Sequence, residues 1–447
     1  MNRTRLGRWR PAFPLIFALL ILPLALSSDT IEKPVPRSQL PQDEAGIARM
    51  MKISWSQEIL PPGARPEVLR ALLERGEVIL INDHHPVVPW MSAAGILVDA
   101  PPAVVYQVFS DFAKFPEYVP MTQEAKPEIV GPNLVDVKFT VNIKMAFLSY
   151  RITYSCYHYN RPAIYRTDWC LSGGEFKNNS GFYQAIPVDE GRRSMLWYST
   201  HSEPNSSFLR SLYTREPTLE LMTNISAATM LARALKQRAE EVYRQSPGYQ
   251  PPTPREAPRP IQEVLLDDPQ TLKLLAERGK ILVLEDGPTV YATAGTVVNA
   301  TPEQAFDIVA RFEDAPKYIP GVRKVESRGQ GPKGPRYFWA VEMDLAFLPY
   351  KYEYTLDYEL DRPRRINWMI PRAAGPAPGF WQFVPLDQGR HCLIFNGATA
   401  DIRAMGWIPR YALKVEPTLE HALIASQGTI AISATKDYIQ RQIKALK

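Results

Sequence analysis

Apolar and polar positions run through this chain with two different periods, and the change of period happens twice. Val137, Phe139, Val141 and Ile143 alternate with Asp136, Lys138, Thr140 and Asn142. That period of two predicts a strand with one apolar and one polar face. Tyr337, Trp339, Val341 and Met343 repeat it. The next strand keeps the rule: Tyr150, Ile152 and Tyr154 oppose Arg151, Thr153 and Ser155, and later Tyr350, Tyr352 and Tyr354 oppose Lys351, Glu353 and Thr355. Turns at 160–162 and 361–363 lead into strands carrying Trp169 and Trp368, with two further strands after each. Helical spacing then takes over. Glu216-Pro-Thr-Leu-Glu220 and Glu416-Pro-Thr-Leu-Glu420 each open a long helix, with proline where a missing N–H costs nothing and glutamates at the positive end of the dipole. Leu221, Ile225, Ala228, Leu235, Ala239 and Val242 form an apolar stripe on the first. On the second, Ala425, Gly428, Ile432 and Ile439 are interrupted by His421, Thr435 and Gln442. The small residues there predict close approach by a sheet, or by a ligand held against one.

The recurrence is a duplication. Asp111-Phe-Ala-Lys-Phe-Pro-Glu-Tyr-Val-Pro120 matches Arg311-Phe-Glu-Asp-Ala-Pro-Lys-Tyr-Ile-Pro320, and residues 145–154 match 345–354, at the 200-residue spacing of the two helices. So long a period means two tandem domains, not a solenoid. Upstream, 65–76 and 268–279 each predict a short helix with a glycine stop. A hairpin follows each (78–81 with 94–99, 281–284 with 295–299), then an amphipathic helix (104–109, 303–309). The six prolines of 246–260 predict a stiff exposed linker between the domains. The expected organisation is a leader at 1–27, a flexible tether at 28–62, domain 1 at 63–245, a linker at 246–264 and domain 2 at 265–447.

Charge changes the picture only at the N-terminus. The net charge is +5, but Arg3, Arg5, Arg8 and Arg10 supply four of those charges and precede an apolar run from Ala12 to Leu26. A basic start, an apolar stretch and a small-residue exit read as a secretory signal. The run is short for a spanning helix and holds Pro14 and Pro23, so cleavage is favoured over an uncleaved anchor. This predicts an exported protein, periplasmic or secreted. The remaining balance of +1 gives no electrostatic case for nucleic acid. Cys156, Cys170 and Cys392 make neither a metal motif nor a disulfide framework and read as small buried residues.

Strand, helix, meander and long terminal helix, together with Val98-Asp-Ala-Pro-Pro-Ala-Val-Val-Tyr-Gln-Val-Phe-Ser-Asp-Phe-Ala-Lys-Phe-Pro-Glu-Tyr-Val-Pro120, resemble the START-like (SRPBCC) superfamily. Within it the likeness is to the polyketide cyclase and coenzyme Q-binding (COQ10-like) branch. The resemblance covers about 70–245 and 273–447. It implies an α+β fold of two tandem helix-grip domains, each a curved antiparallel sheet around a long C-terminal helix with a hydrophobic tunnel between. Strand parity then nominates Phe139, Tyr150, Tyr154 and Trp169 as lining, with Trp339, Tyr350, Tyr354 and Trp368 in the second domain. On the helices it nominates Ile225, Ala228, Ala425, Gly428 and His421.

No catalytic or metal motif stands out. His84-His85 sits in a predicted turn with no third ligand, and no nucleophile elbow, phosphate loop or HExxH occurs. The expected partner is a hydrophobic small molecule (lipid, sterol or quinone), bound without a cofactor, with a membrane surface as the second partner and transfer between membranes as the extension. Two rivals stand beside it: a cyclase or aromatase, using His421 or Tyr354 inside a cavity, and a scaffold with solid domains. The second helix is the more polar, so the two cavities are expected to prefer different ligands.

Overall fold

The computed structural model describes residues 34–51, 59–83, 91–145, 148–206, 217–252, 257–287, 289–345, 348–371, 378–399 and 419–446. The expected signal or anchor and the His84-His85 pair lie outside the described residues. No helix among the described residues is long and apolar enough to cross a membrane.

Ahead of the first repeat lies α1 (Glu44–Met50). The repeat itself begins with α2 (Pro66–Arg75), the hairpin β1 (Glu77–Asn82) and β2 (Met91–Val98), and α3 (Pro102–Ser110). The meander follows: β3 (Thr122–Gly131), β4 (Leu134–Met145), β5 (Leu148–Arg161), β6 (Arg166–Gly174), β7 (Phe176–Val188) and β8 (Arg193–Pro204). Helix α4 (Pro217–Arg244) closes it. The second repeat adds α5 (Ile261–Asp267), inside the stretch expected as linker, before α6 (Pro269–Ala276), β9 (Gly279–Glu285), β10 (Tyr291–Val298) and α7 (Pro302–Val309). Then come β11 (Val322–Gln330), β12 (Pro335–Leu345), β13 (Leu348–Asp361), β14 (Arg365–Met369), β15 (Gly379–Leu386), β16 (His391–Thr399) and α8 (Leu419–Ala445).

The described strands form one antiparallel sheet, in the order β11-β12-β13-β14-β15-β16-β10-β9-β1-β2-β8-β7-β6-β5-β4-β3. The repeats meet where β1 pairs with β9, in register from Glu77 with Leu284 to Asn82 with Gly279. Since Glu77 corresponds to Lys280, and Ile81 to Leu284, the register maps onto itself when the repeats are exchanged. That is the logic of an isologous two-fold interface within one chain. A side chain could not stand at Gly76 or Gly279, because its Cβ would lie 1.9 Å from the Leu284 carbonyl oxygen or 2.1 Å from that of Ile81. Gly76 ends α2, as expected, whereas α6 ends at Ala276 and Gly279 opens β9; both glycines admit the neighbouring repeat.

The expected spacer therefore does not hold the repeats apart: they are hydrogen-bonded edge to edge, and residues 34–447 make one compact unit. The physical reason is in β1 and β9, whose Val78–Ile81 and Ile281–Leu284 are apolar throughout; left as free edges they would invite aggregation. On one face of the sheet lie α4 and α8. Ile225, Ala228, Ala232, Leu235 and Ala239 of the first, and Ala425, Ile432 and Ile439 of the second, share a core with Ala94, Leu196, Ala294 and Ile394. Helices α2, α5 and α6 cover the centre of the opposite face, setting Leu72, Leu265 and Leu272 against Phe182, Trp197, Phe380 and Phe395.

The expected tether is corrected over 34–51. Asp43 caps α1 by accepting from the Gly46 N–H, and Leu40, Ile47 and Met51 pack on Leu134, Tyr157 and Tyr159 of the outer sheet face. Arg37 adds two hydrogen bonds to the buried Asp136, and the Tyr157 hydroxyl donates to the Val35 carbonyl. The prolines of this stretch break it into short pieces, but its apolar residues still find a surface.

Candidate functional site

Strand parity correctly identifies the inner face. Phe139 and Trp169 are buried there and Tyr154 packs beside them, with Trp339 buried and Tyr354 and Trp368 partly buried in the second repeat. For Tyr150 and Tyr350 only the backbone pairing is described, with Ile143 and Met343. Phe139 stacks on Tyr154 at 5.4 Å and Trp339 on Tyr354 at 6.3 Å. The segment after each amphipathic helix reaches into these rows. Phe115 approaches Phe139 at 6.1 Å and Phe112 approaches His158 at 4.3 Å, while Phe312 stacks on Tyr358 at 4.0 Å.

The helix candidates Ile225, Ala228 and Ala425 lie in that same core. Ile225, Ala228 and Ala425 are fully buried, but a Cβ at Gly428 would lie 3.5 Å from that of Ala294 and 3.8 Å from that of Ala292. The small stripe of α8 thus admits the sheet itself. His421 departs further from expectation: its Nε2 sits 2.6 Å from Asp286 Oδ1, in a charge cluster where the repeats join. There Arg233 of α4 bonds both the buried Glu77 of β1 and Asp286. Burial raises the Glu77 carboxyl to about 7 against the pull of Arg233 and His421. The hydrogen bond from His421 draws Asp286 down to about 2, with burial opposing and Arg233 assisting.

Polar groups that the sequence reading passed over gather on the inner face of the first repeat. His158 is buried between Phe112, Phe139 and Trp169. Its Nδ1 lies 3.0 Å from the Cys156 carbonyl oxygen. Burial lowers this imidazole to about 3, so it is neutral; with the Nδ1 proton donated to that carbonyl, Nε2 is left as an acceptor. Tyr183 stacks on Phe109 at 5.4 Å and meets Trp169 at 4.7 Å. Among the described residues neither its hydroxyl, that of Tyr154, nor His158 Nε2 has a hydrogen-bond partner. Burial holds both tyrosines well above the usual phenol range. Nearby, the Trp169 Nε1–H and the Ser202 hydroxyl both donate to Asn179 Oδ1 at 3.3 Å, and the Ser202 N–H donates to Asn224 Oδ1 of α4 at 3.2 Å. The parity that found Trp169 also puts Tyr183 inside, so alternation carried the signal. Cys156 and Cys170, on neighbouring strands, point to opposite faces and are free thiols.

The second repeat replaces most of these groups. His158 corresponds to Tyr358, Cys156 to Leu356, Tyr183 to Trp381, Tyr198 to Asn396 and Asn224 to Ile424, by the matching strand registers and the 200-residue helix spacing. Two open cavities lie away from the long helices. A groove of about 570 Å³ on the outer face of the second repeat is lined by Ile261, Tyr291, Asn367, Met369 and Phe380, among others. Another, of about 450 Å³, lies under Pro34–Arg37 beside Asp136 and Gly173. No group of three or more metal-ligating side chains occurs among the described residues.

Residues 289–447 match the family described as polyketide cyclase / dehydrase and lipid transport. No curated protein matches the chain. Among solved structures it is similar to the Zhui aromatase/cyclase from Streptomyces sp. R1128, at 16% identity over 35% of this chain and 98% of that one, with a TM-score of 0.29. The di-domain ARO/CYC StfQ from the steffimycin biosynthetic pathway is 11% identical over 79% of this chain and 99% of its own, at 0.25. A START superfamily protein from Mycobacterium smegmatis is 16% identical over 34% and 98%, at 0.28. Likenesses this distant carry no weight for fold or activity; the family match concerns the second repeat alone.

Proposed function

We propose that each repeat, 63–245 and 265–447, is a helix-grip domain holding a hydrophobic small molecule between its inner sheet face and its long helix. The first repeat takes a ligand bearing hydroxyl or carbonyl oxygens, such as a sterol or quinone. The observation that carries this reading is the set of inward polar tips without a protein partner: the Tyr154 and Tyr183 hydroxyls and His158 Nε2. Inward hydroxyls and an imidazole nitrogen in an apolar setting are satisfied by a ligand oxygen, each such bond adding about 1 kcal/mol. Hydroxyl donors suit a carbonyl, and the neutral imidazole accepts from a hydroxyl. The hydrocarbon body adds about 0.8 kcal/mol per buried methylene, so retention needs no covalent step. The family description of the second repeat, which names lipid transport, supports the same reading.

Carriage near a membrane, by an exported protein, follows from the basic and apolar N-terminal sequence and belongs to this proposal. A cyclase is the rival. The inner histidine is neutral down to about pH 3, too weak a base for proton abstraction at neutral pH, and His421 is engaged by Asp286; both favour binding. Organic extraction of the purified full chain followed by mass spectrometry is the test. A stoichiometric, oxygen-bearing hydrophobic compound is expected. A protein that carries none, and takes up no sterol or quinone offered to it, would be the scaffold and would end the reading.

A further inference from the structure

One place on the outer face is filled in the first repeat and open in the second. In the first, the chain's own Leu40, Ile47 and Met51 pack on Leu134, Tyr157 and Tyr159, with Cys170 beside them. In the second, Asp357, Glu359 and Met369 stand where Tyr157, Tyr159 and Cys170 do, and they line the groove of about 570 Å³. Its far wall is fixed from two sides. Arg75 of α2 donates to the carbonyl oxygens of Pro258 and Arg259 at 3.1 and 2.7 Å, and Gln382 Nε2 donates to that of Gln262 at 3.2 Å. Small-molecule sites are usually pre-formed in this way.

The polar groups that line the groove are of two kinds. The ionic ones are matched within the protein: Arg75 with Glu285, Lys333 with Glu359, and Asp357 with Arg336. The neutral ones are not. Gly397, Phe380 and Asn367 stand side by side across β16, β15 and β14. The Tyr291 ring crosses Gly397, where a Cβ would lie 2.7 Å from its hydroxyl oxygen. The Tyr291 hydroxyl and the Asn367 amide thus flank the buried Phe380, with the Gln262 amide on the wall. None of these three side chains has a hydrogen-bond partner among the described residues. Burial raises the Tyr291 phenol, which therefore stays protonated.

We propose that this groove binds an uncharged amphiphile whose head both donates and accepts hydrogen bonds, such as a carboxamide on a short hydrocarbon body. The Tyr291 hydroxyl and the Asn367 and Gln262 amides take the head, and Met369, Ile261 and Pro260 take the body. A carboxylate or an ammonium would have to leave water with no free counter-charge to meet it. The site is independent of the inner-face guest.

Calorimetric titration of the full chain with octanamide, octanoate and octylammonium, which share a chain and differ in head charge, tests this. Octanamide should saturate one site, with both ions at least about tenfold weaker. Asn367→Leu and Tyr291→Phe should each weaken octanamide about fivefold, the loss of one hydrogen bond. Met369 is 45% exposed, so Met369→Glu should melt with the parent while weakening octanamide at least as much, which separates lost binding from lost fold. The inner-face variant His158→Phe should leave octanamide untouched. Failure of octanamide to saturate, an ion that binds as well, or full binding by both Asn367→Leu and Met369→Glu would each overturn the assignment. Loss of binding in His158→Phe would also overturn it, by placing the amide in the inner site.

Discussion

Where the first repeat sets Cys156, His158, Tyr183 and Tyr198 on its inner face, the second sets Leu356, Tyr358, Trp381 and Asn396, on strands of matching register. The long helices differ at the same level, Asn224 bonding Ser202 in one while Ile424 lies buried in the other. The second repeat puts bulk at several of these positions and keeps the Tyr354 and Tyr358 hydroxyls and Asn396, whose amide donates to the Phe380 carbonyl at 3.4 Å. This reverses the expectation from the helices, where His421, Thr435 and Gln442 mark the second as the more polar. His421 spends its polarity on Asp286 at the junction. The polarity of a helix is a poor guide to the polarity of the space beside it; the strands facing it decide.

The comparison can be broken first at the junction. If the repeats are related by a two-fold, Gly76→Ala and Gly279→Ala must cost alike, since each Cβ would strike a carbonyl of the opposite repeat. A loss of about 3 kcal/mol or more is expected at either site by chemical denaturation. A large cost at one glycine and none at the other would break the symmetry.

A smaller effect sharpens the asymmetry at the same place. Glu77 corresponds to Lys280, so only one side of the junction carries the buried carboxyl with a raised value. The folded state holds that proton more tightly than the unfolded chain. Its contribution to stability is therefore present at low pH and is lost as pH rises from the ordinary carboxyl value to about 7. Glu77→Gln should flatten the fall in stability over that window, read from melting curves at successive pH values. A parallel wild-type and variant profile would contradict it. Asp286 acts in the opposite sense: its stabilisation holds above the ordinary aspartate value and is lost as pH falls toward about 2, well outside the Glu77 window.

The smallest effect lies on the inner faces. His158→Phe removes the unpaired Nε2 together with the Nδ1–H bond to the Cys156 carbonyl, and the two opposing effects should leave the ligand-free protein within about 1 kcal/mol of the parent. Denaturation of stripped protein would show it, and a loss well beyond that would mean Nε2 is engaged as well.

Much of the architecture was legible because it is periodic. The 200-residue spacing, the alternation around Phe139 and Trp339, and the stripes at Ile225 and Ala425 depend on local pattern, and the strands and helices follow them. The pairing of β1 with β9 was missed, although Val78-Ile-Leu-Ile81 and Ile281-Leu-Val-Leu284 carry a signal: runs without alternation suit strands covered on both faces. The packing of α1 was also hidden by the prolines ahead of it, Pro34, Pro36 and Pro41, despite the apolar Leu40, Ile47 and Met51. Contacts such as Arg233 with Glu77 and His421 with Asp286 join distant elements and leave no mark in a single sequence. The inner site was half legible. Parity places Trp169 and Tyr154 on the inner face, and His158, an even number of residues from Tyr154 and paired with Trp169, shares that face.

The claim on which the account rests is that the first repeat's inner face holds an oxygen-bearing guest. Native mass spectrometry of the full chain, as purified and as His158→Phe with Tyr183→Phe, tests it most directly, with Tyr354→Phe as the matching change in the second repeat. The account predicts a defined small-molecule mass on the parent and on Tyr354→Phe, lost or much reduced in the double variant. A bare parent chain that no sterol or quinone will load, or a guest retained in full by the double variant, would contradict it.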